Sequence, residues 1–359
     1  METVEIVLAG VGEPETLQVR RRDLPAPGPE QAVVRMDATG VSFAEQSMRR
    51  GMYYDQPPFP FVPGYDLVGT VEAVGERPAS GIRVGRRVAA LTKIGGWAQR
   101  LLLDTGDLVP VPDGVAAAEA ETVIVNGLTA WRVLHRTIRP SAGQTIVVFA
   151  AGGGVGSVLV QLARQAGLRV IGTAGPSQQD RLRSMGVIPI DYRTEDVPAR
   201  VRALAPDGVA AVVDNVGGPG AGDSWRLLAP GGTLVVLSDM SMREAKYPML
   251  RFLKTFGRMQ LWNLLPNRKN AHFFNLWAGH KRHLERYRAE LRADLTRLFG
   301  LLAEGTLVAP IDSEYPLSKA ADALRRAEAG GLAGKVIIVP DEIGQDGIGP
   351  GGIGRGQAG

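Results

Sequence analysis

Apolar and polar positions change their rhythm once along the chain. Up to about residue 120, apolar residues come in short β-rich runs punctuated by Gly and Pro: Val33–Met36, Val68–Val74, Arg87–Leu91 and Ala98–Leu103. This predicts an irregular, mostly β region. Pro57, Pro58, Pro60 and Pro63 each fix φ and remove a donor, so the segment around them reads as a stiff loop. From Asn126 onward, strand and helix patterns alternate. Ile146–Ala150 is a continuous apolar run suited to a strand buried on both faces. Val155, Val158, Leu159, Leu162, Ala163 and Ala166 then recur at helical spacing, with Gly167 placed to end the helix. Leu168–Gly172, Val209–Asp214 and Thr233–Ser238 read as further strands. The alternation predicts an α/β fold with a doubly wound parallel sheet. Beyond it, Lys246–Leu265 is a basic, aromatic-rich segment broken by Pro248 and Pro266, and His272–Trp277 reads as a last strand of the sheet. Leu284, Tyr287, Leu291, Leu295, Leu298 and Leu302 mark one face of a long helix closed by Gly305. Lys335–Val339 is a final strand, and the Gly-rich stretch after Asp341 is expected to be disordered.

Composition narrows the chemistry. The chain has 359 residues, 45% apolar and 22% charged, as in ordinary globular proteins. No apolar run approaches the ~18 residues of a membrane helix, and no signal peptide is evident, so a cytoplasmic protein is expected. There is no cysteine, which excludes disulfides, cysteine nucleophiles and thiolate metal sites. The histidines His135, His272, His280 and His283 form no metal-binding spacing, so no metal is expected. The net charge of +4 is local: ten Lys/Arg against two Glu lie between Arg251 and Arg292. A solvated helical surface is favoured there over nucleic acid or a membrane.

The strongest local signal is Phe149-Ala-Ala-Gly-Gly-Gly-Val-Gly156, which follows an apolar strand and opens a helix. That is the context of the dinucleotide fingerprint G-x-G-x-x-G, with Ala151 in place of the first glycine, then Gly153 and Gly156. Gly153 would admit the pyrophosphate, Gly156 would let helix pack on strand, and the helix N-terminus offers unpaired N–H groups. The second strand ends in Ile171-Gly-Thr-Ala-Gly-Pro-Ser177 without the acid that usually holds the ribose of NAD. With Ser177, Arg181 and Arg183 close behind, this favours NADP(H).

Further motifs accompany the loop: Gly40-Val-Ser-Phe-Ala-Glu45, Gly51-Met-Tyr53, the run Pro60–Gly75, Gly127-Leu-Thr-Ala130, Ile190-Asp-Tyr192, Asp214-Asn-Val-Gly-Gly218 and Gly334-Lys-Val336. In this order they resemble the medium-chain dehydrogenase/reductase superfamily over residues 1–340, and within it the zinc-free quinone oxidoreductase-like group. The segment before Phe274-Asn-Leu276 is similar to its vesicle-amine-transport-like branch. The resemblance implies a GroES-like catalytic domain from residues 1–123, a Rossmann domain over 124–282, a return to the catalytic domain over 283–340, a tail over 341–359, and a homodimer. Zinc-dependent relatives carry Gly-His-Glu where this chain has Gly64-Tyr65-Asp66, and a ligand cysteine near Val41-Ser-Phe43. The resemblance also implies Thr129 near the nicotinamide, Tyr192 beside the 2′-phosphate, Gln179 where quinone oxidoreductases hold that phosphate with a lysine, and Ser42 where an asparagine is usual. The positions expected to line NADP(H) are Ser42, Thr129, Gly153, Gly154, Val155, Gly156, Thr173, Ser177, Arg181, Tyr192, Asn215, Ser238, Asn275 and Lys335.

Without a metal, stabilising an alkoxide is hard, whereas a conjugated acceptor spreads its charge into an enolate. The expected activity is therefore NADP(H)-dependent hydride transfer to a quinone or an α,β-unsaturated carbonyl. A biosynthetic enoyl reductase is one alternative. A dinucleotide-binding protein acting at membranes or on partners through the basic aromatic stretch is another. Tyr53 matches the tyrosine in the G-x-Y motif of enoyl-thioester reductases. It is either the proton or hydrogen-bond donor, or an aromatic wall of the pocket beside Tyr54, Phe59 and Phe61.

Overall fold

A computed structural model describes residues 1–217, 220–238 and 248–341. A hairpin of β1 (Glu2–Leu8) and β2 (Leu17–Asp23) opens the chain, followed by the long strand β3 (Gln31–Val41) and the short helix α1 (Phe43–Arg49). Next come β4 (Asp66–Val74), β5 (Arg87–Leu91), β6 (Arg100–Asp104), β7 (Val109–Pro110) and helix α2 (Ala117–Arg132). The alternating half runs β8 (Thr145–Val148), α3 (Gly154–Gln165), β9 (Arg169–Ala174), α4 (Gln179–Ser184), β10 (Ile188–Asp191), α5 (Val197–Leu204), β11 (Val209–Asp214), α6 (Ala221–Arg226), β12 (Leu228–Val236), α7 (Pro248–Asn263) and β13 (Asn270–Phe273). Then follow α8 (Leu284–Ala303), β14 (Ile311–Pro316), α9 (Ala320–Glu328) and β15 (Lys335–Val339).

Two large sheets result. The first is parallel, in the order β10-β9-β8-β11-β12-β13. The order in which successive strands join the sheet switches sides between β8 and β11, and the crevice outside the strand ends at such a point is where doubly wound sheets bind ligands. The second holds seven strands, centred on β3, which pairs antiparallel with β4 on one side and with β6 and β15 on the other. The chain therefore returns at β15 to the sheet it began. The buried strands Ile146, Val147, Val148 and Val212, Val213 account for the apolar runs seen in the sequence.

Several expectations need correction. The first, mostly β region also holds the short helix α1, and helix α2 spans the position where the catalytic part was expected to end. Pro248 does not break a helix but begins one, because a residue in the first turn needs no N–H partner. The last strand of the parallel sheet is Asn270–Phe273, so Phe274–Trp277 lies beyond it. The Gly-rich tail, Lys246 and Gly218 lie outside the described residues. Among the described residues no helix is long and apolar enough to cross a membrane.

Candidate active site

The glycine loop joins β8 to α3 at the reversal point. Ala150 adopts φ +51, in the left-handed region that costs a residue with a Cβ about 1–2 kcal/mol. It is held there by Thr173 Oγ1, which accepts from the Ala150 N–H at 3.1 Å. Ala151 fits where a first glycine is usual because β9 supplies the space: a Cβ on Gly172 would stand 2.7 Å from the Ala151 Cβ. Gly156 packs so closely that a Cβ would lie 2.3 Å from the Ala150 carbonyl oxygen. Gly153 caps α3, and the first intrahelical bond runs from Ser157 N to Gly153 O at 2.8 Å. The N–H groups of Gly154, Val155 and Gly156 precede that bond, so the helix N-terminus presents donors to an anion. Asn215 donates from Nδ2 to the Phe149 carbonyl at 2.8 Å, and Ser238 Oγ donates to the Asn215 carbonyl at 2.6 Å. The structure thus brings Thr173, Asn215 and Ser238 to the loop, each through a backbone contact.

At the far end of β9, Ser177 is exposed in a short turn and Tyr192 is exposed beside it. The Tyr192 hydroxyl and the Arg193 guanidinium stand 3.8 Å and 3.9 Å from where a Gly175 Cβ would be, and the Arg193 guanidinium lies over the Tyr192 ring. Arg193 is a residue the sequence reading missed, although it directly follows the Ile190-Asp-Tyr192 motif. Gln179 turns inward and donates to the Ala174 carbonyl at 2.9 Å, while the Arg181 guanidinium donates to the Ala333 carbonyl. Arg181 therefore ties α4 to the chain's return.

On the facing side, three aromatic side chains form a hydrogen-bonded chain. Trp277 Nε1 donates to the Tyr65 hydroxyl at 2.5 Å, and the Tyr65 and Tyr53 hydroxyls are 2.7 Å apart. With Tyr65 already accepting from Trp277, its own proton can go to the Tyr53 oxygen, which leaves the Tyr53 O–H to point at a ligand. Burial, then the Tyr65 and Tyr54 neighbours, push the Tyr53 phenol far above its ordinary range, so it stays protonated. Tyr287 lies stacked on Trp277, and its phenol is pushed up to about 12, mainly by burial. Asn275 Oδ1 accepts from the Tyr54 hydroxyl at 3.1 Å and from the Trp277 N–H at 2.9 Å. Asn275 therefore ties the Tyr54 hydroxyl to the Trp277 backbone.

Behind this group lies a fully buried charge cluster. Lys335 Nζ sits 3.4 Å from Asp66 Oδ2 and 3.3 Å from Glu121 Oε1. Burial works to lower the Lys335 pKa, but the carboxylates of Asp66, Glu121 and Glu45 outweigh it and hold the ammonium charged. Burial, reinforced by Asp66, raises Glu121 and Glu45 in turn. Glu45 accepts from the Ser42 N–H at 2.9 Å, from the Ser42 hydroxyl and, through Oε1, from the Tyr65 N–H at 2.7 Å. Gly40 leaves the room for this: a Cβ there would stand 2.3 Å from both Glu121 Oε1 and Lys335 Cε. Lys335, expected to line the cofactor, is instead committed to this cluster. Thr129 is buried on α2.

The basic aromatic stretch is divided by the fold. Trp262 stacks on Trp225 at 4.9 Å, Trp277 turns inward, and Arg288 pairs with Asp104 and Asp107. Phe256 and several leucines of α7 remain exposed.

A doubly wound parallel sheet, a glycine loop at its reversal point and a second, β-rich part that takes back the returning strand define a nicotinamide-dependent oxidoreductase of two-part construction. Residues 28–113 match the alcohol dehydrogenase GroES-like domain and residues 186–338 the zinc-binding dehydrogenase family. The chain belongs to the medium-chain dehydrogenase/reductase superfamily. It is 32% identical over 344 residues to the human synaptic vesicle membrane protein VAT-1 homolog, covering 93% of this chain and 86% of that protein. A quinone oxidoreductase from Pseudomonas syringae superposes with a TM-score of 0.80 at 29% identity, covering 94% of this chain and 100% of the other. A mycobacterial protein solved in complex with NADPH superposes with a TM-score of 0.79 at 28% identity, again covering 94% and 100%. The zinc of the family description does not fit the residues present. There is no cysteine, the Tyr65 hydroxyl is engaged by Tyr53 and Trp277, and among the described residues no group of three His, Asp or Glu side chains is placed to hold a metal ion.

Proposed function

We propose that the protein is a zinc-independent reductase that uses NADP(H) to deliver hydride to a quinone or to the C=C bond of an α,β-unsaturated carbonyl. The observation that carries this reading is the Trp277–Tyr65–Tyr53 hydrogen-bond chain, whose middle residue occupies the position of a zinc ligand in metal-dependent relatives. The glycine loop supports the cofactor: Gly156 lets α3 start hard against the Ala150 carbonyl, and the N–H donors of Gly154, Val155 and Gly156 suit a pyrophosphate. Tyr192, Arg193 and Ser177 are assigned to the 2′-phosphate, and Thr129 and Ser42 to the nicotinamide side. A bound nicotinamide supplies the hydride.

The chain's own residues manage the charge that hydride arrival creates. Hydride addition at the β-carbon moves the C=C electron pair toward the carbonyl oxygen as an enolate. The Tyr53 O–H, fixed by Tyr65, donates a hydrogen bond to that oxygen. The α-carbon then takes its proton from water, and the raised Tyr53 pKa suits a donor that keeps its proton. A quinone yields a more stable anion and depends less on that hydrogen bond. An enoyl thioester offers the same acceptor chemistry as an enone. The test is NADPH oxidation by purified protein against quinones, enones and enoyl thioesters. Turnover with at least one class is expected, and cofactor binding without turnover on any of them would overturn the proposed reaction.

A further inference from the structure

Asn126 carries a buried donor that nothing in the fold satisfies. Its side chain, 6% exposed on α2, leaves Nδ2 without a hydrogen-bond partner among the described residues. An unmet buried amide donor is costly to a fold, and each such group calls for an explanation. Its position supplies one. Asn126 lies against Gly154, the first residue of α3: a Cβ on Gly154 would stand 2.7 Å from Nδ2 and 3.1 Å from Cγ and Oδ1. Gly154 does not have a positive φ, so the glycine is required there for clearance and not for backbone conformation. The same spot holds the unpaired N–H groups at the start of the 12-residue helix α3. Two separate sets of unmet donors, one from α2 and one from α3, thus converge on one place.

We propose that Asn126 is a direct cofactor-binding residue, its side-chain amide donating a hydrogen bond to the pyrophosphate stretch of the dinucleotide that lies over Gly154. The inference rests on the dinucleotide reading of the glycine loop and adds to it a donor from the helix that also carries Thr129. The amide completes an anion cradle that backbone groups alone leave open on the α2 side. Burial keeps water from competing for the bond, and the cost of the unmet donor is carried by the free protein and relieved on binding.

The test compares wild type with Asn126→Ala and Asn126→Asp. It measures NADPH and 2′-AMP affinities by equilibrium titration, and thermal unfolding without ligand. Loss of a hydrogen bond to a charged oxygen should weaken NADPH about tenfold in Asn126→Ala. Asn126→Asp should weaken it further, since a carboxylate would face the phosphates. Binding of 2′-AMP, which carries the 2′-phosphate but neither phosphate of the pyrophosphate, should stay within about twofold of wild type. The unliganded melting temperature of Asn126→Ala should hold or rise, because its unmet donor is gone. Asn126→Ser, a smaller change, substitutes if the alanine variant does not fold. NADPH affinity unchanged in the variants would overturn the proposal. So would equal losses of NADPH, 2′-AMP and unliganded stability, which mark a structural residue. Failure of wild type to bind NADPH would instead overturn the dinucleotide reading itself.

Discussion

Tyr53 sits at the end of a hydrogen-bonded chain that starts at Trp277. Trp277 can only donate, so Tyr65 accepts from it; either hydroxyl of the Tyr65–Tyr53 pair can be the donor, and with Tyr65 donating the Tyr53 O–H is left for a ligand. Tyr53→Phe removes the terminal donor, and a lost oxyanion donor costs roughly a hundredfold in kcat. That loss is expected on enones, with quinone reduction largely spared; steady-state kinetics on both acceptors check it, and equal losses on both would place Tyr53 in the pocket wall. The pH dependence follows from the raised phenol. Its protonated form is the donor, present below its pKa and lost above it. Because that pKa lies well above the ordinary 10.0, the enone rate should show no fall assignable to Tyr53 between neutral pH and pH 10. Tyr53 was legible in the sequence through its motif, and Tyr65 only as a departure from histidine. Trp277 was not legible as a partner of Tyr65, because the contact spans 212 residues. Asn126 was passed over because a lone polar residue among apolar ones carries no signal until its partners can be counted.

Local elements were the most legible. The β8–loop–α3 unit is contiguous, its strand and helix periods differ, and Gly167 with φ +74 ends the helix as expected. Helix α2 was missed for a physical reason. Its Thr122-Val-Ile-Val125 run favours strand by propensity, and the helix is buried on most of its surface, so no polar stripe betrays it. The turn after β10 sets a further prediction. Arg193 stands with Tyr192 beside Gly175, while the Gln179 side chain is turned back onto the Ala174 carbonyl. Arg193→Ala should weaken NADPH about tenfold while leaving NADH within about twofold, since only the former carries the extra phosphate. Parallel titrations measure this, and equal effects on the two cofactors would remove Arg193 from the site.

At the scale of the molecule, the cluster of Lys335, Asp66, Glu121 and Glu45 fastens the returning strand β15 to β4, α1 and α2. The sequence showed that Gly334-Lys-Val336 mattered, but burial alone reveals that the lysine faces carboxylates. Lys335→Met leaves those carboxylates without their cation, and breaking one side of a buried pair costs about 3–5 kcal/mol. The sign with pH is definite. The folded pKa values of Glu45 and Glu121 lie above 4.5, so their contribution is present below that value and lost as pH rises through the folded ones. The raised Lys335 contributes stability that is present below 10.5 and lost only as pH rises through its folded value. The variant should therefore lose more stability at pH 8 than at pH 5, and denaturant midpoints at the two pH values measure the difference. A loss independent of pH would mean that packing, not charge, joins these segments.

The central claim is zinc-independent hydride transfer from a nicotinamide to a conjugated acceptor. It is tested most directly by following NADPH absorbance in chelator-treated protein as a quinone and an enone are added. The predicted result is steady oxidation of NADPH that chelation does not diminish and that deuterium at the transferred position slows. Oxidation that disappears with the chelator and returns with added zinc would contradict the account.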